Sequence, residues 1–353
     1  MEYYDWNKTL SYDAPITFVI SMRGKGKTYG LRVQAIRDYL KDGSRFVGLT
    51  RYKDDLKGSN AIQNGWFDKI VLNDEFPDHI FKVTGRKAYI AKRPEDGSTK
   101  PEWNLIGYFT ALTDLHKDKQ QTYANVRRII FDEAVIDRRT HHRYLINEWD
   151  MITNAFSSIA REIPGTPTKC RLYLLGNACD ITNPYFNIMG IVDEPKPGYS
   201  WHLGKLVLLH YLNATDTELS EMNDTIVGRM SRNRTESNTI LNGRFTATHS
   251  ELISKRPRNA RYQATFVFNE SKYSIWVDSK AGYYYICSGA PKNANNVFAM
   301  TNADNTSANM VNARRTLPIM RGLVEMHTYN ALRFDSEATR AGFMRLLALF
   351  GVR

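Results

Sequence analysis

A glycine-rich loop between an apolar strand and a helix is the feature that most restricts how this chain can fold. Phe18-Val19-Ile20 runs directly into Ser21-Met22-Arg23-Gly24-Lys25-Gly26-Lys27-Thr28, and the apolar positions from residue 31 to residue 40 suit one helix that Gly43 would end. Such a loop directs successive backbone N–H groups at an anion, and the helix N-terminus adds partial positive charge. This order predicts a phosphate-binding loop in an α/β protein with a mainly parallel sheet.

The loop matches the pattern G-x-x-x-x-G-K-[ST] except at its first position, which is serine. Gly24 and Gly26 permit close approach of a phosphate, Lys27 would reach the β and γ oxygens, and Thr28 would offer its hydroxyl to Mg²⁺. The other loop residues expected to contact nucleotide are Ser21, Arg23 and Lys25. The alternative is a basic turn that happens to contain Gly-Lys-Thr.

A second apolar strand ends in two adjacent carboxylates, in the stretch Ile129-Ile130-Phe131-Asp132-Glu133. We expect this strand to neighbour the strand of the loop, so that Asp132 holds Mg²⁺ through its water shell and Glu133 orients or deprotonates an attacking water. Taken alone, an acidic strand end is often merely solvated. Combined with the loop, it indicates hydrolysis of ATP.

Other polar residues are candidates to complete this site. Asn177 ends a third apolar strand, where it would sense the γ-phosphate or position water, unless it only caps the following turn. Phosphoryl transfer also needs positive charge on the equatorial oxygens. Arg161, from a neighbouring subunit, is the first candidate and Lys119 the second, although Arg161 could equally be a plain surface residue. Arg23 would supply this charge within the same chain, and Arg51 would contact nucleotide from a lid. Spacing in the sequence tests neither of these two placements.

The first half of the chain alternates short β-rich runs with longer mixed segments, which predicts buried strands with helices between them. The runs are Ile16–Ile20, Arg45–Thr50, Ala88–Ala91, Val126–Phe131 and Arg171–Leu175. Prolines and a glycine at residues 193–198 interrupt the pattern. We therefore expect a first domain at 1–195, a partly helical linker at 196–250, and a second domain at 251–353.

The second domain shows strand-like alternation followed by one amphipathic helix. The expected strands are Tyr262–Phe268, Tyr273–Val277 and Tyr283–Ile286, with a turn at Lys280-Ala281-Gly282, and the helix is Glu337–Phe350.

The net charge of +11 is concentrated towards the end of the chain, where residues 228–353 hold eighteen Lys and Arg against eight Asp and Glu. Because neutralised phosphates release counterions, this excess indicates a polyanionic partner, and a solvated basic face is the alternative. The residues expected to bind nucleic acid are Arg232, Arg234, Lys255, Arg256 and Arg258. No run of about 18 apolar residues is present, so we expect a cytosolic protein without a membrane partner.

Four stretches of the chain together match one known family. They are Ser-Met-Arg-Gly-Lys-Gly-Lys-Thr, Thr50-Arg51-Tyr52-Lys53, Ile-Ile-Phe-Asp-Glu, and Leu-Gly-Asn-Ala followed by Asn183-Pro184-Tyr185-Phe186. In order and interval they resemble the DNA-packaging ATPases of phi-29-like bacteriophages, relatives of the large terminases. The resemblance covers most of the first 190 residues and continues more thinly through residues 273–278 and 332–335.

The resemblance implies an ASCE-type P-loop ATPase followed by a smaller α+β, RNase H-like domain. It implies a pentameric ring in the host cytoplasm, seated transiently on the portal of an empty capsid, that drives double-stranded DNA inward with ATP and Mg²⁺, and a structural packaging RNA as a further partner. The positions matching the family's motifs are Lys27, Thr28, Asp132 and Glu133 for nucleotide, Arg161 for an arginine from the neighbouring subunit, and Lys119 before the acidic strand.

Two other functions are compatible with the same residues. One is a terminase-like nuclease in which Asp278 and Asp335 bind metals and ATP hydrolysis is auxiliary. Acidic residues are scarce in residues 228–353, and Asp304 and Asp335 lack a convincing strand, so we expect binding of nucleic acid without cutting. The other is a non-motor protein that binds nucleic acid and uses ATP as a switch.

Overall fold

The computed structural model describes residues 3–56, 65–94, 100–114, 122–136, 143–145, 147–161, 169–179, 181, 183–191, 194–226, 229, 252–306, 311–312 and 317–350. Lys119, Arg232 and Arg234 lie outside these residues. The chain divides into two compact units, residues 1–189 with 195–246 and residues 190–194 with 247–353.

The first unit is built on one large sheet with helices between its strands. Its strands are β1 (Ile16–Ser21), β2 (Arg45–Thr50), β3 (His79–Thr84), β4 (Lys87–Lys92), β5 (Asn104–Ala111), β6 (Val126–Phe131), β7 (Arg171–Asn177), β8 (Gly198–His202) and β9 (Val207–Tyr211). Its helices are α1 (Trp6–Ser11), α2 (Lys27–Asp42), α3 (Asp68–Leu72), α4 (Glu148–Ala160), α5 (Pro184–Met189) and α6 (Asp216–Asp224), with short 3-10 turns at Lys53–Leu56 and Leu112–Asp114.

The nine strands follow the order β3-β4-β5-β2-β6-β7-β1-β9-β8. Every pairing from β5 across to β9 is parallel, and antiparallel strands flank this block: β4 and β3 at one edge and β8 at the other. Phe18, Val19 and Ile20 of β1 are fully buried, because helices cover both faces of a sheet of this kind. The expected mainly parallel α/β sheet is confirmed.

The position of the acidic strand differs from the expectation. β6 does not neighbour β1, because β7 lies between them and pairs in parallel with both. Apolar strands of similar length are interchangeable in sequence pattern, so their lateral order depends on long-range packing. The interposed strand places Asn177 between the loop and the acidic pair.

Other strand predictions also needed correction. Residues 88–91 belong to β4, which runs antiparallel as half of a hairpin with β3, and β3 and β5 were not predicted at all. Residues 198–211, expected in a partly helical linker, form the β8–β9 hairpin, and β9 extends the first sheet by pairing with β1. The proline-rich stretch before Gly198 interrupts the alternation of strands and helices in the sequence, which is why these strands were not predicted. In the structure β9 pairs with β1, and all of its residues are buried.

The second unit is a smaller mixed sheet with helices on one face. Its strands are β10 (Arg261–Phe268), β11 (Ser271–Asp278), β12 (Tyr283–Ser288), β13 (Val297–Ala299), β14 (Val311–Asn312) and β15 (Leu332–Phe334), and its helices are α7 (Leu317–Thr328) and α8 (Glu337–Ala348). The sheet order is β14-β13-β10-β11-β12-β15, antiparallel through β10, β11 and β12 and parallel elsewhere.

The core of the second unit lies between the sheet and its two helices. Phe266 and Ile275 on the sheet pack with Met320 of α7 and with Phe343 and Leu346 of α8 in one buried cluster. The three strands, the turn before Tyr283 and the final helix were predicted from the sequence. The smaller α+β unit is therefore confirmed.

Candidate active site

The glycine-rich loop joins β1 to α2 as predicted. Gly24 and Gly26 have positive φ angles of 90° and 68°, a region that L side chains rarely adopt. Gly26 ends the loop, and Lys27 and Thr28 begin the helix, so backbone N–H groups and the positive helix end point into the same space. Arg23 is exposed on this loop and Thr28 is half-buried.

Lys27 is buried and points back across the loop. Its Nζ donates to Ser21 Oγ at 2.8 Å, to the carbonyl oxygen of Met22 at 3.1 Å and to Asn177 Oδ1 at 3.3 Å. Burial lowers the pKa of Lys27 to about 8, against an opposing effect of Asp132. Ser21, where the motif departs from glycine, therefore supplies a hydroxyl that accepts from the loop lysine.

The predicted polar residues meet at the carboxyl edge of the sheet. Ser21 ends β1 and pairs in register with Asn177, which ends β7, while Asp132 directly follows β6. Asp132 is half-buried and Glu133 is exposed beside it. Carboxylate, amide and ammonium groups thus lie at the same sheet edge as the glycine-rich loop, as expected for the carboxyl ends of parallel strands.

Arg32 belongs to this group, although the sequence analysis did not select it. It lies one helical turn after Thr28, and its Nη2 is 3.6 Å from Asp132 Oδ2. Its guanidinium stacks over Trp66 at 4.4 Å, and burial lowers its pKa while Asp132 raises it. The i+4 spacing from Thr28 was the available signal, because residues four apart share one face of a helix.

Arg51 contacts Glu148 and the backbone after β6, and its predicted contact with nucleotide from a lid stays a prediction. Its guanidinium makes a bidentate pair with Glu148, at 2.8 Å and 3.0 Å, and both side chains are buried. Burial would lower the pKa of Arg51, but the hydrogen bonds and charge of Glu148 raise it above its usual value. Tyr185 donates to the same carboxylate.

The Arg51 guanidinium also fixes the backbone that follows the acidic strand. It donates to the carbonyl oxygens of Glu133 at 3.2 Å and Ala134 at 2.9 Å. Glu133 has a φ of 53°, a left-handed conformation that costs a residue with a side chain roughly 1–3 kcal/mol. We infer that the Arg51–Glu148 pair stabilises this backbone and so positions the Glu133 side chain.

Lys25 lies within the loop and is paired with an acidic residue far along the chain. Its ammonium is bound by Glu218 of α6, and the two side chains are almost completely buried. Glu218 Oε2 in turn accepts from the backbone N–H of Thr215, and Lys25 helps to lower the pKa of Glu218, which burial would raise. Nothing in the sequence near Glu218 indicates this contact, since the two residues are 193 positions apart.

Arg161 lies at the end of α4, away from the described loop contacts. Its side chain is exposed, its φ is 46°, and its Nη2 donates to Thr122 Oγ1 at 3.1 Å. An exposed arginine at a helix end is accessible to a neighbouring molecule. Lys119, the second candidate, lies outside the described residues.

Three aspartates of the second unit, Asp278, Asp304 and Asp335, each accept a hydrogen bond from a backbone N–H group. Asp278 Oδ1 accepts from the N–H groups of Lys280 and Ala281 in the β11–β12 turn, and Asp335 Oδ2 accepts from Ser288 N at 2.7 Å. Asp304 accepts from Glu270 N and from Thr301 Oγ1. Within the described residues, no three His, Cys, Asp or Glu side chains are grouped so that they could hold a metal ion.

The three described residues of the predicted nucleic-acid surface differ in exposure. Lys255 and Arg258 are exposed, whereas Arg256 is half-buried with its guanidinium stacked 3.9 Å above the ring of Trp276. Its Nη1 also donates to the carbonyl oxygen of Pro257 at 3.4 Å, so the stack and this bond hold the guanidinium in place.

Comparison with known proteins places these observations in a family. The family described as Podovirus DNA encapsidation protein (Gp16) matches residues 1–348. The chain belongs to this family. The DNA packaging protein of Bacillus phage phi29 is 28% identical over 339 residues, 96% of this chain and 95% of the relative. The DNA packaging protein of Bacillus phage B103 is 30% identical over 334 residues, 94% and 96% of the two chains.

Two solved structures are similar to this chain in fold. A chain of the bacteriophage Phi-29 viral genome packaging motor assembly superimposes with a TM-score of 0.73 at 25% identity, covering 99% of both chains. The Phi-28 gp11 DNA packaging motor superimposes with a TM-score of 0.62 at 20% identity, covering 98% of both, and supports the fold alone. None of the helices in the described residues is long and apolar enough to span a membrane.

The buried Arg51–Glu148 pair predicts a large loss of stability when one charge is removed. We expect Glu148→Gln to lower the free energy of unfolding by about 3–5 kcal/mol, because Arg51 remains buried without its counter-charge. Asp42→Asn is the control, since Asp42 pairs with Arg127 at 3.0 Å but both are well exposed, and it should cost no more than about 1 kcal/mol. Urea unfolding followed by tryptophan fluorescence measures both, and equal stabilities would contradict the role given to Glu148.

Proposed function

We propose that this chain is the ATP-hydrolysing subunit of a motor that drives double-stranded DNA into a preformed viral capsid. The observation that carries the proposal is the meeting of Lys27, Asn177 and Asp132 at one sheet edge, in a member of a DNA encapsidation family. Membership gives the biological setting, and the side chains give the chemistry.

The residues at the sheet edge fit a magnesium-bound triphosphate. The loop has the features of an anion site. It combines a buried ammonium, the backbone N–H groups of a helix N-terminus and two glycines with positive φ. Thr28 and Asp132 supply the hydroxyl and carboxylate oxygens that Mg²⁺ prefers. Bound there, Mg²⁺ would neutralise charge on the phosphate oxygens and orient them.

The chain's own residues then divide the work of hydrolysis. When ATP binds, Lys27 donates to phosphate oxygens in place of its present acceptors. Asn177, which now accepts from Lys27, would then sense the γ-phosphate or position water. Glu133, held by Arg51 through its backbone, orients the attacking water and accepts its proton. Ser21, Gly24 and Gly26 shape the loop, whereas Lys25 supports it through Glu218.

The proposed motor is a homo-oligomeric ring, most simply a pentamer, that acts at the capsid portal in the host cytoplasm. Support comes from the match to a motor assembly over the whole chain and from the exposure of Arg161, which would stabilise phosphoryl transfer in the next subunit. A structural packaging RNA is a further proposed partner, by similarity to phi-29-like phages.

The second unit is proposed to bind nucleic acid without cutting it. Its exposed Lys255 and Arg258, together with Arg256, would contact phosphates, and Arg232 and Arg234 of the first unit are proposed to do so as well. Asp278 and Asp335 are bonded to nearby backbone N–H groups, which favours a structural use of these carboxylates over nuclease chemistry.

Substitution of Lys27 should abolish ATP turnover by preventing ATP binding, and substitution of Glu133 should abolish it by preventing hydrolysis. In the full-length protein with double-stranded DNA, we expect Lys27→Ala to lose ATP binding, and Glu133→Gln to bind ATP while hydrolysing it at least about 100-fold more slowly. Glu325→Gln, an exposed position in the second unit, serves as the matched control. A wild-type protein without turnover, or full activity in Glu133→Gln, would reject the proposal.

The proposal also predicts that the protein does not cut DNA. Supercoiled plasmid incubated with the protein and Mn²⁺ should remain intact, and its cleavage would favour the nuclease.

The pKa of Lys27 predicts a proton uptake that accompanies nucleotide binding. Only the charged lysine attracts phosphates, so its pKa of about 8 should rise in the complex. Above about pH 8, affinity for ATP should fall by up to tenfold per pH unit, because the free lysine is increasingly neutral. Titration calorimetry in buffers of different ionisation enthalpy measures the uptake. Lys27→Arg, which stays charged, should abolish the pH dependence, and a wild-type protein without uptake would contradict it.

Mixed rings separate a neighbouring-subunit arginine from a same-chain arginine. We expect wild-type protein doped with Arg161→Ala to lose DNA-stimulated activity more steeply than in proportion to the mutant fraction, because one missing arginine disables an adjacent site. The exposed Arg345→Ala should have no effect. A linear loss with Arg161→Ala, together with inactivity of undoped Arg23→Ala, would assign the charge to the same chain.

A further inference from the structure

Arg32, on the second turn of α2, places a positive charge beside the carboxylate that is proposed to act on magnesium. Its Nη2 lies 3.6 Å from Asp132 Oδ2, and within the residues that the structure describes Arg32 is the cation paired with this carboxylate. The other oxygen of the carboxylate, Oδ1, accepts from the backbone N–H of Glu133 at 3.0 Å. Both oxygens of Asp132 therefore already face a cation or a hydrogen-bond donor of the chain itself.

The guanidinium of Arg32 is fixed by contacts that do not involve Asp132. Its Cζ lies 4.4 Å from the centre of the Trp66 ring, and its Nη1 donates to the carbonyl oxygen of Gly65. The side chain is only 20% exposed, and Nε is buried without a hydrogen-bond partner among the described residues. Because a cation with an unmet donor and little water gains more from a nearby anion than a solvated one does, this guanidinium favours a negative Asp132.

The same position makes Arg32 a competitor of a divalent metal. Arg32 lies four residues after Thr28 on one face of α2, and Thr28 and Asp132 are the residues that fit magnesium. Two cations that neutralise one carboxylate repel each other, so the charge of Arg32 opposes metal binding at this point. If Arg32 only shaped the carboxylate, its removal would instead weaken the hold on the metal.

We propose that Arg32 is a positioning residue that competes with magnesium for Asp132, so that the site takes up the metal only when phosphates are also present. The inference rests on the proposed function. Without nucleotide, Arg32 neutralises Asp132 and holds its carboxylate in place. Phosphates in the loop add negative charge, and Asp132 then exchanges the guanidinium for the water shell of the metal while Arg32 stays stacked on Trp66.

The test measures how much magnesium is needed for nucleotide binding, and it does not depend on hydrolysis. Full-length protein is mixed with ADP that carries a fluorescent methylanthraniloyl group, and anisotropy is followed as free Mg²⁺ is raised from an EDTA-buffered start. We expect Arg32→Gln to lower the half-saturating Mg²⁺ concentration about tenfold, because one positive charge beside the metal is lost. Arg32→Lys, which keeps the charge, should remain within about threefold of the wild type.

A second arginine of the same helix provides the matched control. Arg37→Gln removes the same charge from α2, but Arg37 pairs with Glu75 at 3.4 Å. Its half-saturating Mg²⁺ concentration should equal that of the wild type, and an equal decrease in both variants would overturn the inference, because the effect would then be one of net charge. Arg32→Met, which keeps an apolar stem over Trp66, replaces Arg32→Gln if that variant does not fold.

The remaining outcomes separate this inference from the proposed function. An unchanged half-saturating concentration in Arg32→Gln would make the ion pair purely structural, and a raised one would mean that Arg32 prepares Asp132 for the metal; either result overturns the competition. Wild-type nucleotide binding that does not depend on Mg²⁺ would overturn it as well. A wild-type protein that binds no nucleotide at any Mg²⁺ concentration would instead reject the proposed function.

Discussion

The buried ammonium of Lys27 is the interaction on which the site depends. A cation removed from water requires nearby oxygen acceptors, and here the loop, the end of β1 and the end of β7 supply them. Burial nevertheless lowers the pKa of Lys27, because loss of water disfavours the charged form. A phosphate anion would compensate the charge better, so the loop is poised to bind one.

The second requirement is a fixed backbone at the end of β6. Glu133 adopts a left-handed conformation, and the buried Arg51–Glu148–Tyr185 group holds the carbonyl oxygens at this point. Arg51 thus connects the end of β2, the acidic strand and α4 in one buried network. The Glu133 side chain, proposed to act on the attacking water, is exposed, while the charges of Arg51 and Glu148 that hold its backbone are buried.

Features formed by residues that are adjacent in sequence could be predicted, whereas features that depend on long-range contacts could not. The loop, the carboxylate pair and Asn177 are contiguous strand-end motifs, and parallel strands bring their carboxyl ends to one edge whichever order they take. The interposition of β7, the pairing of β9 with β1 and the recruitment of Glu218 by Lys25 are long-range contacts with no local signature. The buried pairing of Arg51 was not predicted for the same reason, because its partner Glu148 lies 97 residues away.

The central claim is that Lys27 and Asp132 act on one magnesium-bound triphosphate. The most direct measurement is an experimental structure of the full-length protein with Mg²⁺ and a non-hydrolysable ATP analogue. We expect Lys27 Nζ on the terminal phosphates, and the metal about 2.0–2.1 Å from Thr28 Oγ1 with Asp132 reached through its water shell. A triphosphate bound elsewhere, or a metal with neither Thr28 nor Asp132 in its surroundings, would contradict this account.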